Sequence, residues 1–239
     1  MKPFDKGDEE METLQQMQQR ILSFSIHSLY CREDGCFETH PNVKMKVDEE
    51  GKMKPFYGNS MIFQIKDQIF LECCWHIINE IQQSIMMAEP LKNHTMHMTL
   101  HDLVNGTTPP YHMEEVNQKA IHILQSLPDF EIKLKPSRVY SMNQTSIVLG
   151  MEAINEEHHQ KLMSIYECFQ EVVPLSYAYT PHVTISYYRP NIYPHHDVLQ
   201  LQKIMADVNA FIGNITLVLR KEDLKLMVFT NMNEYQEVA

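Results

Sequence analysis

Residues 179–188 read Tyr179-Thr180-Pro181-His182-Val183-Thr184-Ile185-Ser186-Tyr187-Tyr188. After the proline, β-branched and aromatic residues alternate with small polar ones, the pattern of a strand. Side chains of a strand point alternately to its two faces. Val183, Ile185 and Tyr187 therefore share one predicted face, which suits a core. His182, Thr184, Ser186 and Tyr188 share the other, which lines up an imidazole with hydroxyls.

A second stretch has the same form. In His97-Met98-Thr99-Leu100-His101, alternation places His97, Thr99 and His101 on one face and Met98 and Leu100 on the other. The two His-x-Thr-apolar segments start 85 positions apart. Composition alone produces roughly one His-x-Ser/Thr by chance, so spacing is weak by itself. Context strengthens it, because both segments lie in strand-like alternation after a predicted helix. Such a pair suits phosphodiester cleavage. One imidazole takes a proton from the attacking oxygen and the other gives one to the leaving oxygen, roles that suit a group titrating near neutrality. Each threonine hydroxyl is placed to donate to a non-bridging phosphate oxygen, where charge grows in the transition state. These roles need no metal and no cofactor.

On these two complete motifs, His97-Met98-Thr99-Leu100 and His182-Val183-Thr184-Ile185, the chain resembles the two-histidine (2H) phosphoesterases, the LigT-like or cyclic phosphodiesterase-like group. By element order the resemblance covers roughly residues 56 to 231. Pro55-Phe56-Tyr57-Gly58-Asn59-Ser60 also looks like a segment ahead of the core in a mostly bacterial branch of that family. The resemblance implies an α+β (α/β) fold of two pseudo-symmetric lobes, with antiparallel-rich sheets flanked by helices and a central cleft. It implies metal-independent cleavage of 2′,3′-cyclic phosphates, 2′–5′ linkages or RNA ends. His97 and His182 become the acid/base pair, and Thr99 and Thr184 the phosphate donors. His101, Ser186, Tyr188, Tyr57 and Asn59 are further candidate substrate contacts, with Gly58-Asn59 also read as a turn.

The rest of the chain fits mixed α and β structure. Helices are predicted over 8–23, 73–90, 113–127, 155–172 and 198–212. Met11, Leu14, Met17, Ile21 and Leu22 form the apolar stripe of the first, and acidic residues stand at its start. Strands are predicted over 61–70, 97–103, 130–142, 145–153 and 182–188, and two more over 214–230 around a Lys-Glu-Asp turn. Residues 24–60 carry Gly and Pro punctuation, with a short hairpin within 43–56. Residues 1–55 are read as an N-terminal helix and hairpin extension, and 56–239 as a two-lobed catalytic domain.

The formal net charge is −11. Nonspecific grip on long nucleic acid needs a basic field, so the expected partner is a small nucleotide or RNA end rather than a DNA duplex. No apolar run is long enough to span a bilayer. The N-terminus lacks the apolar core of a signal peptide, and the cytoplasm is the expected compartment. Five cysteines without CxxC spacing are expected to be free thiols. His94, His97 and His101 would gather for zinc on a helix but not on a strand. His158-His159 are read as a solvated helix face, His195-His196 as a surface turn, and Trp75 and Phe63 as core. Arg138 and Arg189 are phosphate anchors by charge alone. A binding module without turnover and a metal hydrolase built on the 94/97/101 cluster stand as alternatives. Oligomeric state is not encoded in any of these features.

Overall fold

The computed structural model describes residues 11–213 and 215–239. Helix α1 (Leu14–Ser25) is followed by strand β1 (Phe37–Glu38) and a single turn, α2 (Val43–Lys46). Next come β2 (Tyr57–Gln64), α3 (Gln68–Ile81), β3 (His97–Gly106) and α4 (Met113–Ser126). The second half runs β4 (Glu131–Met142), β5 (Ser146–Ala153), α5 (Glu156–Gln170), β6 (His182–Tyr187), β7 (Ile192–Tyr193) and α6 (His195–Phe211). It closes with β8 (Leu217–Arg220), β9 (Leu224–Asn231) and β10 (Glu234–Glu237).

Eight strands form one antiparallel sheet in the order β10-β9-β2-β3-β6-β5-β4-β8. The order is palindromic about its centre, so that β3 matches β6, β2 matches β5 and β9 matches β4. Within each half the ladders are long. At the centre, β3 meets β6 through the pair Met98–Val183 alone. A sheet joined at one point in its middle behaves as two lobes with a cleft over the junction. Strands β8 and β9 lie in opposite lobes, yet only Lys221–Asp223 separate them. The sheet must therefore curl, and Phe63 and Phe130 meet edge-to-face at 6.2 Å across the closure. Helix α3 packs against β6 and α6, while α5 packs against β3 as well as β4 and β5. Helices α3 and α5 thus each support the central strand of the opposite half.

Local chemistry sets the element ends. Thr13 Oγ1 accepts from the Gln16 amide, and Gln16 Oε1 accepts from the Thr13 amide at 2.8 Å. This capping box starts α1 at Leu14. The predicted start at residue 8 lies outside the described residues, and the first turn of α1 holds no acid. Met17 and Ile21 are buried as the stripe requires, whereas Leu22 is half exposed. Asp67 accepts from the Phe70 amide at 2.8 Å and starts α3 at Gln68. The strand predicted over 61–70 therefore ends at Gln64. It begins earlier than predicted, at Tyr57, so Gly58-Asn59 lie within the sheet and not in a turn.

Helix α3 stops at Ile81, well before Pro90, because residues 82–90 pair with the other half. Ala88 N donates to the Tyr187 carbonyl at 2.9 Å, and Met87 bridges Tyr188. The predicted hairpin contracts to one bridge, Val47–Met53, whose turn is closed by the Asp48 carboxylate accepting from Glu50 N and Lys52 N. In the predicted pair over 214–230, Asn214 lies outside the described residues. The turn is present, but β8 pairs with β4 and β9 with β2. Strand β10 was not anticipated. Phe37, Val43, Val47 and Phe56 belong to the same buried core as Phe63, Val148 and Phe169.

Gly58 sits between β3 and β9. A Cβ there would collide with the Val104 carbonyl oxygen and lie 2.6 Å from Phe229 Cζ. Gly58→Ala is expected to destabilise the fold by about 1–3 kcal/mol, the usual cost of overpacking. Urea unfolding measures this, and an unchanged midpoint would contradict the tight β2–β3–β9 spacing.

Candidate active site at the lobe junction

The Met98–Val183 pair fixes what faces the cleft. The same antiparallel register sets His97 across from Thr184, and Thr99 across from His182. These four side chains form a quartet in which each imidazole neighbours a hydroxyl on both its own strand and the facing one. The two histidines occupy the diagonal, where Cβ atoms lie roughly 7–8 Å apart. That gap suits one tetrahedral phosphorus group flanked by two imidazoles. Met98 and Val183 point to the opposite face and are fully buried.

Both imidazoles are clamped in the same way. His97 Nδ1 lies 2.6 Å from the Thr95 carbonyl, and His182 Nδ1 lies 2.7 Å from the Thr180 carbonyl. A carbonyl only accepts, so each Nδ1 carries the proton and each Nε2 is left free toward the cleft. Neither threonine hydroxyl of the quartet has a hydrogen-bond partner among the described residues. Burial lowers the pKa of both histidines, and the carbonyl contact at Nδ1 partly opposes this. Each histidine also senses nearby charge. His182 lowers His97, Lys46 lowers His182, and the Asp102 carboxylate raises both.

A model described as the 2′-5′ RNA ligase superfamily matches residues 75–223. The chain belongs to this superfamily, that of the 2H phosphoesterases. Membership supports phosphoesterase activity in general. No curated protein matches the sequence. Among solved structures, a conserved protein of unknown function, Atu0111 from Agrobacterium tumefaciens C58, is 12% identical with a TM-score of 0.63. The match covers 81% of this chain and 89% of that one, and shows a shared fold. TT0787 of Thermus thermophilus is 9% identical, with a TM-score of 0.47 over 76% and 95% of the two chains. Escherichia coli LigT complexed with 3′-AMP is 10% identical, also at 0.47, over 77% and 96%.

In this member of the superfamily, simple alternation fails just past each motif. The register of β3 on β2 skips a residue, since Ile62 pairs with Thr99 and Met61 with His101. On β6, Val148 pairs with Thr184 and Ile147 with Ser186. Leu100 and Ile185 are thus bulged residues at equivalent positions. A bulge reverses which side later residues face. His101 accordingly turns away from the cleft, is 1% exposed, and packs on Tyr166 and Phe169 of α5, with Nε2 3.4 Å from Gln170. Ser186 turns away likewise, fully buried, and accepts from Gln82 Nε2 at 3.0 Å. Both leave the set of substrate contacts.

The same bulges bring in residues that the sequence pattern missed. Asp102 pairs with Ser60 on the cleft face, and its carboxylate accepts from Ser60 Oγ at 3.1 Å and Tyr177 Oη at 3.3 Å. Tyr187, assigned to the core by alternation, is buried as expected, but the bulge sets it on the same side of the sheet as Thr184. The Lys46 ammonium stands 5.3 Å from its ring centre and 5.1 Å from that of Phe56. Tyr235 of β10 packs on His97, ring centres 5.0 Å apart. Leu100 and Ile185 carry no turn chemistry, so no sequence signal marked the bulges.

Other candidates lie elsewhere. Asn59 is fully buried on the helix side, donating to Asn117 Oδ1 at 2.6 Å and accepting from Val104 N at 2.9 Å. Alternation puts Tyr57 on that same side. Tyr188 is buried against Phe37. His94 sits in a 3₁₀ turn, Asn93–Thr95, so the 94/97/101 histidines share no face. Among the described residues no three His, Cys, Asp or Glu side chains gather as a metal site. His159, read as solvated, is fully buried with Nε2 2.6 Å from the Glu12 carbonyl. His195 and His196 open α6 rather than a loop. Phe63 is core, and all five cysteines are free.

Burial lowers the pKa of His97, His101 and His182. The unfolded chain therefore binds more protons than the folded one just below the unfolded value near 6.5. Stability is fullest above that pH and falls as pH drops toward the folded values, by up to about 1.4 kcal/mol per pH unit for the buried His101 and by less for His97 and His182, which are only partly buried. Denaturant unfolding at pH 7.5 and 5.5 should show lower stability at 5.5. Equal stability would mean that these imidazoles are not desolvated.

Proposed function

We propose that the chain is a metal-independent phosphodiesterase that cleaves a cyclic nucleotide, a 2′–5′ linkage or an RNA-end phosphodiester. The observation that carries this reading is the crossed quartet, in which two identically clamped imidazoles flank a space lined by two unpartnered threonine hydroxyls. In hydrolysis of a 2′,3′-cyclic phosphate, one neutral imidazole takes a proton from water through Nε2 as the water oxygen bonds to phosphorus. The other, protonated, gives its Nε2 proton to the ribose oxygen as the P–O bond breaks. Proton count is conserved, and the pair is reset by exchange with solvent. Thr99 and Thr184 donate to the non-bridging oxygens, where negative charge builds.

Lys46 disfavours a positive charge at His182, and a charged His182 disfavours one at His97, so which imidazole acts as base follows the orientation of the bound substrate. Lys46 has no carboxylate partner among the described residues, so it is free to face the phosphate. Among the described residues, no helix is long and apolar enough to cross a membrane. The net charge of −11 suits a small substrate held by these local donors rather than a long nucleic acid.

The direct test is hydrolysis of 2′,3′-cyclic nucleotides and 2′–5′ dinucleotides in EDTA. His97→Ala and His182→Ala are each expected to lower kcat at least about a hundredfold, the size of one acid/base contribution. Full activity in either variant overturns the mechanism, and tight nucleotide binding without product supports a binding module instead. Because burial lowers both histidines, both limbs of the kcat/KM profile move to the acid side, and the bell should peak below about pH 6.5. Lys46→Met should raise the limb that belongs to His182, the acidic limb if His182 is the base and the alkaline limb if it is the acid. Movement of neither limb would mean that Lys46 does not act on His182.

A further inference from the structure

The bulge at Leu100 puts a carboxylate on the cleft wall. Ser60 and Ile62 alternate onto one face of β2, Ile62 pairs with Thr99, and Ser60 pairs with Asp102. Asp102 therefore stands on the same side of β3 as Thr99. Its side chain is held from two directions. Ser60 Oγ donates to Oδ1 at 3.1 Å from β2, and Tyr177 Oη donates to Oδ2 at 3.3 Å from the loop between α5 and β6. That loop is tied to the same strand by Tyr179 Oη, which donates to the Thr99 carbonyl at 3.1 Å.

Asp102 is half-buried, and both of its partners are uncharged hydroxyls. A carboxylate drawn out of water usually finds a cation, yet Asp102 has no ion pair among the described residues. Lys225, which pairs with Ile62 and so lies on the same face, is engaged by Glu237 at 2.6 Å. A lone anion is out of place beside a phosphate site unless it sets the charge of what enters. Its charge is felt at His97, at His182 and at Tyr235, which packs on His97. It therefore acts on the space between the imidazoles.

The fixed charges felt at the two imidazoles are Asp102 and Lys46. Lys46 and one imidazolium, set against Asp102, leave a single positive charge in the cleft. Attraction of a ligand to fixed charges grows in proportion to its own charge. The cost of stripping its water grows with the square of that charge, as Born solvation dictates. A singly positive cleft thus suits a monoanion and loses on a dianion.

We infer that Asp102 is a specificity-determining residue, which admits monoanionic phosphodiesters and turns away dianionic phosphomonoesters, the class of their hydrolysis products. The inference rests on the phosphodiesterase reading of the cleft and names the charge class of its substrate.

Titration calorimetry on the full chain at pH 8 tests this through binding rather than turnover. The probes differ by one charge. One is 2′-deoxyadenosine 3′-methyl phosphate, a diester with no 2′ hydroxyl to attack it. The other is 2′-deoxyadenosine 3′-phosphate, which loses its second proton near pH 6. The wild-type chain is expected to bind the diester at least about fivefold more tightly. Asp102→Asn keeps a carbonyl acceptor for a hydroxyl donor. It should tighten the monoester at least about tenfold and move the diester less than about threefold. In the wild-type chain the preference should shrink toward unity at pH 5.5, where the monoester has largely regained its proton.

A monoester that binds as tightly as the diester at pH 8 overturns the inference, and so does failure of both probes to bind. A shift of both probes by the same factor in Asp102→Asn also overturns it, since that is what a merely structural role gives. Should Asp102→Asn not fold, the wild-type comparison decides, and a preference that is constant between pH 8 and pH 5.5 sinks the idea. Expected preferences without hydrolysis of any cyclic nucleotide or 2′–5′ dinucleotide would overturn the phosphodiesterase reading and keep the charge selection. Hydrolysis in EDTA with preferences unaltered in Asp102→Asn would do the reverse.

Discussion

The contact of β3 with β6 at Met98 and Val183 is the constraint from which the rest follows. Both side chains are fully buried, so the pair is fixed by apolar packing on one face while the other face is left to polar groups. A slip of one residue would exchange those faces and bury the imidazoles. The long ladders to either side, β2 on β3 and β5 on β6, hold each central strand in place and leave the junction itself open. A short joint between two rigid half-sheets is what a cleft needs. A longer one would close it with hydrogen bonds, and its absence would let the lobes part.

How far the sequence could be read follows from how far alternation holds. His97, Thr99, His182 and Thr184 stand before the bulges, and period-two reasoning gives them a common face. Leu100 and Ile185 then shift the phase in both strands at the same place. Neither residue is glycine or otherwise marked, and the cause is the pairing with β2 and β5, which lies far away in sequence. His101 and Ser186 thus leave the cleft for Gln170 and Gln82, the residue that ends α5 and the one that follows α3. The symmetry of this exchange shows that the bulges belong to the architecture. Element boundaries shifted for local reasons, as at Thr13 and Asp67, where caps decide. The segment before β2 looked irregular because its partners are remote. Phe37 pairs with Tyr193 and Phe56 N donates to the Thr230 carbonyl.

Clamping an imidazole through a backbone carbonyl is effective only if the carbonyl is itself held. At His182 the preceding segment is fixed from α1, where Arg20 donates to Thr180 Oγ1 at 3.0 Å and to the Tyr179 carbonyl at 2.7 Å while pairing with Glu12. At His97 the corresponding turn is fixed from the other end of the chain. Lys92 N donates to Asn233 Oδ1 at 2.8 Å, and Thr95 Oγ1 donates back to the Lys92 carbonyl at 2.7 Å. The chain's two ends therefore serve the same purpose at the two equivalent positions, although neither end belongs to the matched pairs of strands.

Symmetry alone would make the two histidine positions equivalent. The difference comes from the groups that flank each of them. Lys46, from α2, stands over Tyr187 on the His182 side, while Tyr235, from β10, packs on His97. The cation acts on one imidazole and the aromatic ring shields the other, with Asp102 favouring the charged form of both. The matched strands thus supply two imidazoles in equivalent settings, and the added segments give each a different neighbour.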